Sequence, residues 1–259
     1  MQLKLNNESM SLNREEILLL FDIDGTLTDP REEIDDDFEE FLYAHVKPKA
    51  TIGLVTGANI EKIYEQLKGK KFLDEFDYVF PENGIVHIEN GIEKGKSSFN
   101  EKLGEDTLQR FINFVLRYIA DLELPYKRGT FIEFRNGMMN ICPIGRQCSV
   151  EERKEFHNYD VQHQVRVKMI ESLKEEFKGI DLMYSIGGQI SFDVFPVGWD
   201  KSFCLSHIDT NKFKEIHFFG DQCMEGGNDY EIFNHPLTIG HKVTSYNETR
   251  IILNNMFPL

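Results

Sequence analysis

The sequence has no apolar run long enough to cross a bilayer, and its opening, residues 1–16, is polar and has no signal-peptide core. Cysteine is scarce, and the spacing of the four cysteines fits neither a metal site nor a disulfide framework. They are Cys142, Cys148, Cys204 and Cys223. We therefore expect a cytoplasmic protein that contacts no membrane, with four structural cysteines.

Positive charge is also scarce: the sequence has 29 Lys and Arg residues against 44 Asp and Glu residues, which gives a net charge of −15. This balance argues against nucleic acid as a partner, because binding its phosphates requires clustered cations. Any smaller anionic substrate would need arginines concentrated where it binds. Four arginines do fall in one middle stretch: Arg128, Arg135, Arg146 and Arg153.

The most informative segment is Phe21-Asp22-Ile23-Asp24-Gly25-Thr26, which follows the apolar run Ile17-Leu18-Leu19-Leu20. Such a run predicts a buried strand, and open α/β sheets bind ligands at the carboxyl ends of their strands. Asp22 and Asp24 are then on the same side of the chain. Crowded carboxylates favour a hard cation such as Mg²⁺, and a carboxylate is an established nucleophile in aspartyl-phosphate chemistry. A lone Asp-x-Asp is also typical of solvated loops, but this one follows a predicted buried strand and is accompanied by three further segments downstream.

Three further segments carry polar residues in similar positions. Thr56 follows the apolar residues 51–55 and precedes an amphipathic segment, so it is placed to hold a phosphoryl oxygen. Lys201 opens a predicted helix. Asp221 follows the strand predicted at 216–219, and further carboxylates, up to Asp229, come soon after. Together they predict a phosphoryl-transfer site with a cation bound by oxygen ligands.

The order of predicted elements indicates two domains. Strands and helices alternate up to about residue 92, and again after residue 198, as in a parallel sheet with right-handed crossovers. We predict an α/β fold with a Rossmann-like parallel-sheet core, residues 1–91 and 198–259. An α+β cap domain with an antiparallel sheet plus helices is inserted at residues 92–197.

Within the cap, the sequence predicts a helix over 106–122, a long charged helix over 151–177 and a hairpin turning at Asn136-Gly137. This turn places Arg135 opposite Met138 and Glu133 opposite Asn140.

One face of the cap sheet is then expected to be polar and the other apolar. The polar face contains Glu133, Arg135, Asn140, Ser191 and Asp193. The apolar face contains Ile132, Phe134, Met139, Ile141, Ile190, Phe192 and Val194.

The four core motifs, in this order, resemble those of the haloacid dehalogenase superfamily. Further segments are similar to the eukaryotic-type phosphomannomutase family within it. They are Val79-Phe80-Pro81-Glu82-Asn83-Gly84, residues 128–135, Gly145-Arg146, Glu151-Glu152-Arg153 and residues 185–193. The resemblance extends from about Leu18 almost to the C-terminus.

This resemblance implies interconversion of mannose 6-phosphate and mannose 1-phosphate through a hexose 1,6-bisphosphate, in supply of GDP-mannose. Asp22 would be the phosphorylated nucleophile, Asp24 the general acid/base and Lys201 the charge partner of the phosphoaspartate. Mg²⁺ would be held by Asp22, the Asp24 carbonyl and Asp221. The sugar and its distal phosphate would be bound by Arg31, Arg135, Arg146, Arg153, Ser191 and Asp193. The family also dimerises through its cap, which implies a homodimer here.

The chain departs from the family pattern at two places. Gln222-Cys223 stands after Asp221, where the family commonly has Lys-Thr. His235 stands where the family has an aspartate of a second, structural cation site. Imidazole suits zinc or iron better than magnesium, so we expect no hard cation at Phe233, His235 and Thr238.

Two other functions remain open on sequence grounds. A sugar-phosphate phosphatase would use the same core residues and pass the phosphoryl group to water. A non-catalytic phosphosugar-binding protein would need the cap but not the nucleophile. Preference between mannose and glucose phosphates, which differ at one hydroxyl, does not follow from the sequence.

Overall fold

The computed structural model describes residues 14–258, which divide into two compact units. The core unit contains the described residues up to Gly95 and those from Asp200 onward, and the cap unit contains Lys96–Trp199. The boundaries predicted from the sequence were 91/92 and 197/198. None of the helices in the described part of the chain is long and apolar enough to cross a membrane.

The core unit is built on a seven-stranded sheet with the order β11-β10-β1-β2-β3-β4-β5. Its strands are β1 (Ile17–Phe21), β2 (Thr51–Val55), β3 (Tyr78–Phe80), β4 (Val86–Glu89), β5 (Ile92–Lys96), β10 (Glu215–Gly220) and β11 (Ile239–Lys242). The neighbouring strands from β11 to β3 pair in parallel, whereas β4 pairs with β3 antiparallel. The predicted parallel sheet is confirmed for five strands and gives way to antiparallel pairing after the turn Pro81–Gly84.

Helices and short turns cover both faces of this sheet. The α-helices of the core unit are α1 (Asp36–Phe41), α2 (Ile60–Gln66), α7 (Tyr230–Phe233) and α8 (Tyr246–Met256). Shorter helical turns are Arg14–Glu16, Leu42–Val46, Lys70–Asp74, Pro81–Gly84, Lys201–His207 and Thr210–Lys212. Alternate residues of β1 enter two hydrophobic clusters, with Leu19 and Phe21 in one and Leu18 and Leu20 in the other. A strand buried on both faces reads as a continuous apolar run.

The cap unit has a four-stranded antiparallel sheet with the order β6-β7-β9-β8. Its strands are β6 (Ile132–Phe134), β7 (Met139–Ile141), β8 (Leu182–Gly187) and β9 (Ser191–Pro196). Its helices are α3 (Phe99–Leu103), α4 (Glu105–Asp121), α5 (Val150–His163) and α6 (Val165–Glu176). The predicted hairpin register is confirmed, with Glu133 opposite Asn140 and the Arg135 N–H donating to Met138 O at 2.9 Å.

The two faces of the cap sheet are close to those predicted. Met139, Ile141, Phe192 and Val194 are fully buried. Phe134 is the exception, since it is 48% exposed. It lies on β6, the edge strand of the sheet in the described part of the chain, and its ring centroid is 6.2 Å from that of Phe99.

The long charged helix predicted over 151–177 is wrong in one respect, because it breaks at Gln164 into α5 and α6. Gln164 adopts left-handed backbone angles of φ 53° and ψ 41°. Directly beside the break, the buried Asp160 carboxylate accepts from the Arg166 N–H at 2.9 Å and from Arg166 Nε at 2.7 Å. Arg166 also donates to the carbonyl of Ser191 at 2.9 Å, so this pair fixes the break to the sheet.

We predict that Arg166→Met destabilises the protein by about 3–5 kcal/mol, because it leaves the Asp160 charge buried without a partner. Arg110→Met is the matched control. Its pair with Glu176 spans 3.9 Å between side chains that are 65% and 47% exposed, so the loss should be at most about 1 kcal/mol. Urea unfolding of both variants measures the difference, and equal losses would contradict the role given to Asp160–Arg166.

Candidate active site

Three predicted site residues lie where parallel core strands end. Asp22 follows β1, Thr56 follows β2 and Asp221 follows β10. The Asp22 N–H donates to Phe219 O at 2.9 Å, which extends the β1–β10 pairing one residue beyond the strand. Because carboxyl ends of parallel strands share one edge of a sheet, the structure brings these residues to the edge at which such folds bind ligands.

A buried lysine connects two carboxylates at this edge. Lys201 Nζ lies 2.5 Å from Asp22 Oδ1 and 2.6 Å from Asp229 Oδ1, and the side chains of Lys201 and Asp229 are completely buried. Lys201 opens the turn Lys201–His207, which Asp200 caps by accepting from the Ser202 N–H at 2.9 Å. The capped helical turn therefore fixes the backbone of Lys201, and the two carboxylates fix the position of its ammonium group.

The protonation of this group follows from burial and charge together. Burial alone would lower the pKa of Lys201, but Asp22 and Asp229 raise it well above its usual value, so the ammonium form persists. Burial raises the pKa of Asp22 to about 7; Lys201 lowers it, and the neighbouring Asp229 contributes to the rise. One cation is thus shared by two carboxylates that would otherwise repel each other.

Asp221 completes an acidic cluster with Asp22 and Asp229, in which one oxygen of each residue lies within 4.8 Å of the others. Two glycines make room for it. A Cβ on Gly25, at φ +73°, would lie 2.9 Å from Asp221 Oδ2, and a Cβ on Gly220 would lie 2.6 Å from Asp229 Oδ2. Three oxygen donors cradled by glycines match the requirements of a hard cation such as Mg²⁺.

The Asp24 carboxylate lies outside the acidic cluster and has its own partners. It accepts from the Arg31 N–H at 2.7 Å and from Gln66 Nε2 at 2.8 Å, and Lys62 Nζ lies 3.4 Å away. Burial alone would raise the pKa of Asp24, but these donors lower it. The cation role given to the Asp24 carbonyl and the substrate role given to the Arg31 side chain both stay predictions.

Thr56 is almost fully buried, and its hydroxyl accepts from the Ala58 N–H at 3.2 Å. Helix α2 begins just beyond it and is capped by Asn59, which accepts from the Lys62 N–H at 3.1 Å. Thr56 therefore lies in a fixed loop between strand and helix, and its contact with a phosphoryl group stays a prediction.

The predicted substrate residues of the cap unit form a connected polar network on the sheet. Glu133 bonds Arg135 Nε at 3.0 Å and Arg146 Nε at 2.6 Å. Burial alone would raise the pKa of Glu133, but the two arginines lower it. On α5, Arg153 joins the network by donating to Arg146 O at 3.0 Å.

Asn140 connects the remaining members of this cap network, and it is only 5% exposed. Its Nδ2 donates to Ser191 Oγ at 3.1 Å and to Asp193 Oδ1 at 2.7 Å, and its Oδ1 accepts from Arg146. Burial raises the pKa of Asp193, although the Asn140 hydrogen bond and the nearby arginines counteract it. Asn140 thus orients three residues that the sequence singled out.

In the segment predicted to have lost a second cation site, His235 and Thr238 make hydrogen bonds within their own loop. His235 Nδ1 accepts from the Leu237 N–H at 3.2 Å. Thr238 Oγ1 donates to Ile232 O at 2.5 Å and lies 3.1 Å from His235 O. Among the described residues, the acidic cluster is the one group of three His, Cys, Asp or Glu side chains placed to hold a metal ion. The four cysteines are buried free thiols.

Sequence reasoning missed three residues of this arrangement. Asp229 stood among carboxylates noted after β10 but had no role of its own, and Asn140 was placed only on the polar cap face. Gln66 gave no sequence signal, since it reads as the last residue of an ordinary amphipathic helix. It is 3% exposed and bonds both Asp24 and Thr28.

Solved structures of other proteins share the fold described above. An IMP-bound IMP-nucleotidase of Plasmodium falciparum superposes with a TM-score of 0.55 at 20% identity, covering 94% of this chain and 68% of that one. At this identity the likeness shows the fold alone, a mixed parallel-sheet core with helices and a separate antiparallel sheet.

The chain belongs to the eukaryotic phosphomannomutase family, whose sequence model matches residues 38–259. The phosphomannomutase of Drosophila melanogaster is 62% identical over 250 residues, which cover 96% of this chain and 98% of that protein. Phosphomannomutase 2 of Dictyostelium discoideum is 53% identical over 249 residues, covering 96% and 99%. The family expected from the sequence motifs is confirmed.

We predict that Asn140→Asp lowers the free energy of unfolding by about 1–3 kcal/mol at pH 7, since Ser191 and Asp193 lose buried donors and Asp193 gains a facing carboxylate. Facing carboxylates have raised pKa values in the folded state, so the folded protein holds extra protons and the loss should shrink as pH falls.

Thermal and urea unfolding from pH 7 to pH 5 test this, with Asn113→Asp, at an exposed position of α4, as the control. A loss that stays constant with pH would show that Asn140 does not separate buried carboxylates.

Proposed function

We propose that this chain is a phosphomannomutase that interconverts mannose 6-phosphate and mannose 1-phosphate through a phosphorylated Asp22 and a hexose 1,6-bisphosphate. The buried Lys201 between Asp22 and Asp229 carries this proposal. A completely buried cation costs several kcal/mol of desolvation, so charged groups held this way are characteristic of functional sites. Membership of the phosphomannomutase family supports the assignment.

In the proposed reaction, an Asp22 carboxylate oxygen attacks phosphorus and the bond from phosphorus to the sugar oxygen breaks. Asp24 protonates that oxygen as it leaves, and in the reverse step it removes the proton from the attacking hydroxyl. Asp24 is supported for this role because its carboxylate has partners of its own and does not belong to the acidic cluster. Gln66 keeps it oriented.

Lys201 and Thr56 serve the phosphoryl group in this scheme. Lys201 neutralises charge on the phosphoaspartate from a fixed position, since Asp229 retains it when Asp22 reacts. Thr56 holds a phosphoryl oxygen. Asp22, Asp221 and Asp229, with the Asp24 carbonyl, would hold magnesium, which when bound would offset the negative charge of the phosphate.

The cap unit supplies the arginines that bind the phosphate that is not reacting. Arg135, Arg146 and Arg153 recognise phosphate rather than a ring position, so they can accept either end of the bisphosphate. Ser191 and Asp193 bind sugar hydroxyls, and Arg31 is proposed as a further substrate-binding residue by analogy with the family. This explains how a protein of net charge −15 can bind anionic sugars.

The remaining parts of the proposal follow the family. We infer a cytoplasmic enzyme that supplies mannose 1-phosphate for GDP-mannose synthesis, assembles as a homodimer through its cap and uses a hexose 1,6-bisphosphate as activator. A phosphosugar-binding protein without catalysis is less well supported, because such a protein has no use for a buried lysine on a nucleophile.

We predict that Asp22→Asn lowers turnover of mannose 1-phosphate by at least about 10³-fold, because the amide cannot attack phosphorus. The near-identical shape should leave the fold intact. A coupled assay with circular dichroism measures both, and Asp121→Asn, exposed at the end of α4, is the control. Activity above a few per cent of wild type would refute the nucleophile assignment.

A mutase and a phosphatase differ in the fate of the phosphoaspartate. We predict a lag with mannose 1-phosphate that catalytic glucose 1,6-bisphosphate or mannose 1,6-bisphosphate abolishes, with little free phosphate released, because an unphosphorylated mutase must first be primed. Phosphate release and mannose 6-phosphate formation are followed together. Stoichiometric phosphate release that ignores added bisphosphate would identify a phosphatase.

A further inference from the structure

The turn Pro81–Gly84, called here the brace turn, has an unusual backbone. Three consecutive residues are left-handed: Glu82 at φ 50°, Asn83 at φ 62° and Gly84 at φ +94°. Such angles are uncommon for residues with a Cβ and persist only where surrounding structure enforces them. The turn follows β3, at the same edge of the sheet as Asp22.

One side of the brace turn holds the Thr56 loop. The Asn83 N–H donates to Thr56 O at 2.8 Å, and the Glu82 N–H donates to Ala58 O at 2.9 Å. The Thr56 N–H donates to Phe80 O at 3.2 Å, directly before the turn. The left-handed angles aim both N–H groups at the loop.

The other side of the brace turn packs on the helical turn that begins with Lys201. A Cβ on Gly84 would lie 2.9 Å from Cys204 Cα and 3.0 Å from Cys204 N, so main chain meets main chain with no side chain between them. The His207 ring also stacks on that of Phe80, directly before the brace turn, with centroids 6.3 Å apart. Cys204 and His207 both belong to Lys201–His207.

We propose that Gly84 is a positioning residue for Lys201. Its missing Cβ lets the brace turn hold the helical turn Lys201–His207 at the distance that seats the lysine on Asp22 and Asp229. The same turn fixes Thr56, so one strained segment sets the spacing of two groups that act on the phosphoryl group. This inference rests on the proposed function of Lys201 and Thr56.

The test compares Gly84→Ala with Gly69→Ala. Gly69 has nearly the same backbone angle, φ +96°, but an added Cβ would meet nothing within 4 Å. Both variants therefore place an alanine at a similar positive φ, and only Gly84→Ala must push the lysine turn away. A displacement of the order of 1 Å can cost about 10²-fold in rate.

We expect Gly84→Ala to lower kcat for mannose 1-phosphate by about 10–100-fold per folded molecule, with KM within about twofold, because the proposed sugar-phosphate binding residues of the cap are untouched. Gly69→Ala should keep the wild-type kcat. Crystal structures should show longer distances from Lys201 Nζ to Asp22 and Asp229 in Gly84→Ala alone. Equal kcat values and unchanged distances would overturn the proposal.

A gentler pair of variants covers the case in which Gly84→Ala does not fold. His207→Ala removes the ring that packs the end of the turn Lys201–His207 on Phe80, directly before the brace turn. We expect a kcat loss of about threefold or more, whereas the control His87→Ala leaves that contact in place and keeps kcat. Identical behaviour of this pair would contradict the inference. If wild type itself shows no mutase turnover, the proposed function fails, and the Lys201 distances still decide the positioning role.

Discussion

The structure of the core unit depends on a single buried ammonium group. Asp22 and Lys201 are 179 residues apart in sequence, yet their charged atoms meet at 2.5 Å in the interior. Neither carboxylate tolerates burial without the lysine, nor the lysine without a carboxylate, because each unpaired charge would cost several kcal/mol of lost hydration. The parallel pairing of β1 with β10, the Asp200 cap and the close approach at Gly84 all bring these three charges to one point.

Charge is handled differently in the two units. In the core unit the critical charges are buried and compensate one another at short range, which fixes their positions. In the cap unit the charges are partly exposed. Glu133 pairs with Arg135 and Arg146, and all three side chains remain in contact with solvent. A half-exposed guanidinium stays available to a phosphate, whereas a buried lysine suits a group that must not move.

Where the structure departs from expectation, a distant contact overrides a local pattern. The charged segment 151–177 contains no proline or glycine to mark a break, but the buried Asp160–Arg166 pair turns the chain at Gln164. Phe134 alternates correctly with its neighbours, but β6 is the edge strand of the sheet within residues 14–258, and the side chain stays exposed. Strand β4 continues the series of short strands, but the brace turn reverses the direction of the chain and β4 pairs antiparallel with β3.

The sequence by itself determined the features that depend on neighbouring residues. An apolar run that stops at Asp22, the Asn136-Gly137 turn and the alternation along β9 specify strand ends, register and faces, because these follow from local backbone geometry. Only the tertiary structure decided which carboxylates gather. Asp24 is only two residues from Asp22 in sequence but bonds other partners. Asp229 is far from Asp22 in sequence, yet both carboxylates bond Lys201. Asn140 and Gln66 acquire their roles in the same way, since a hydrogen bond between distant segments is set by how elements pack and leaves no mark on local composition.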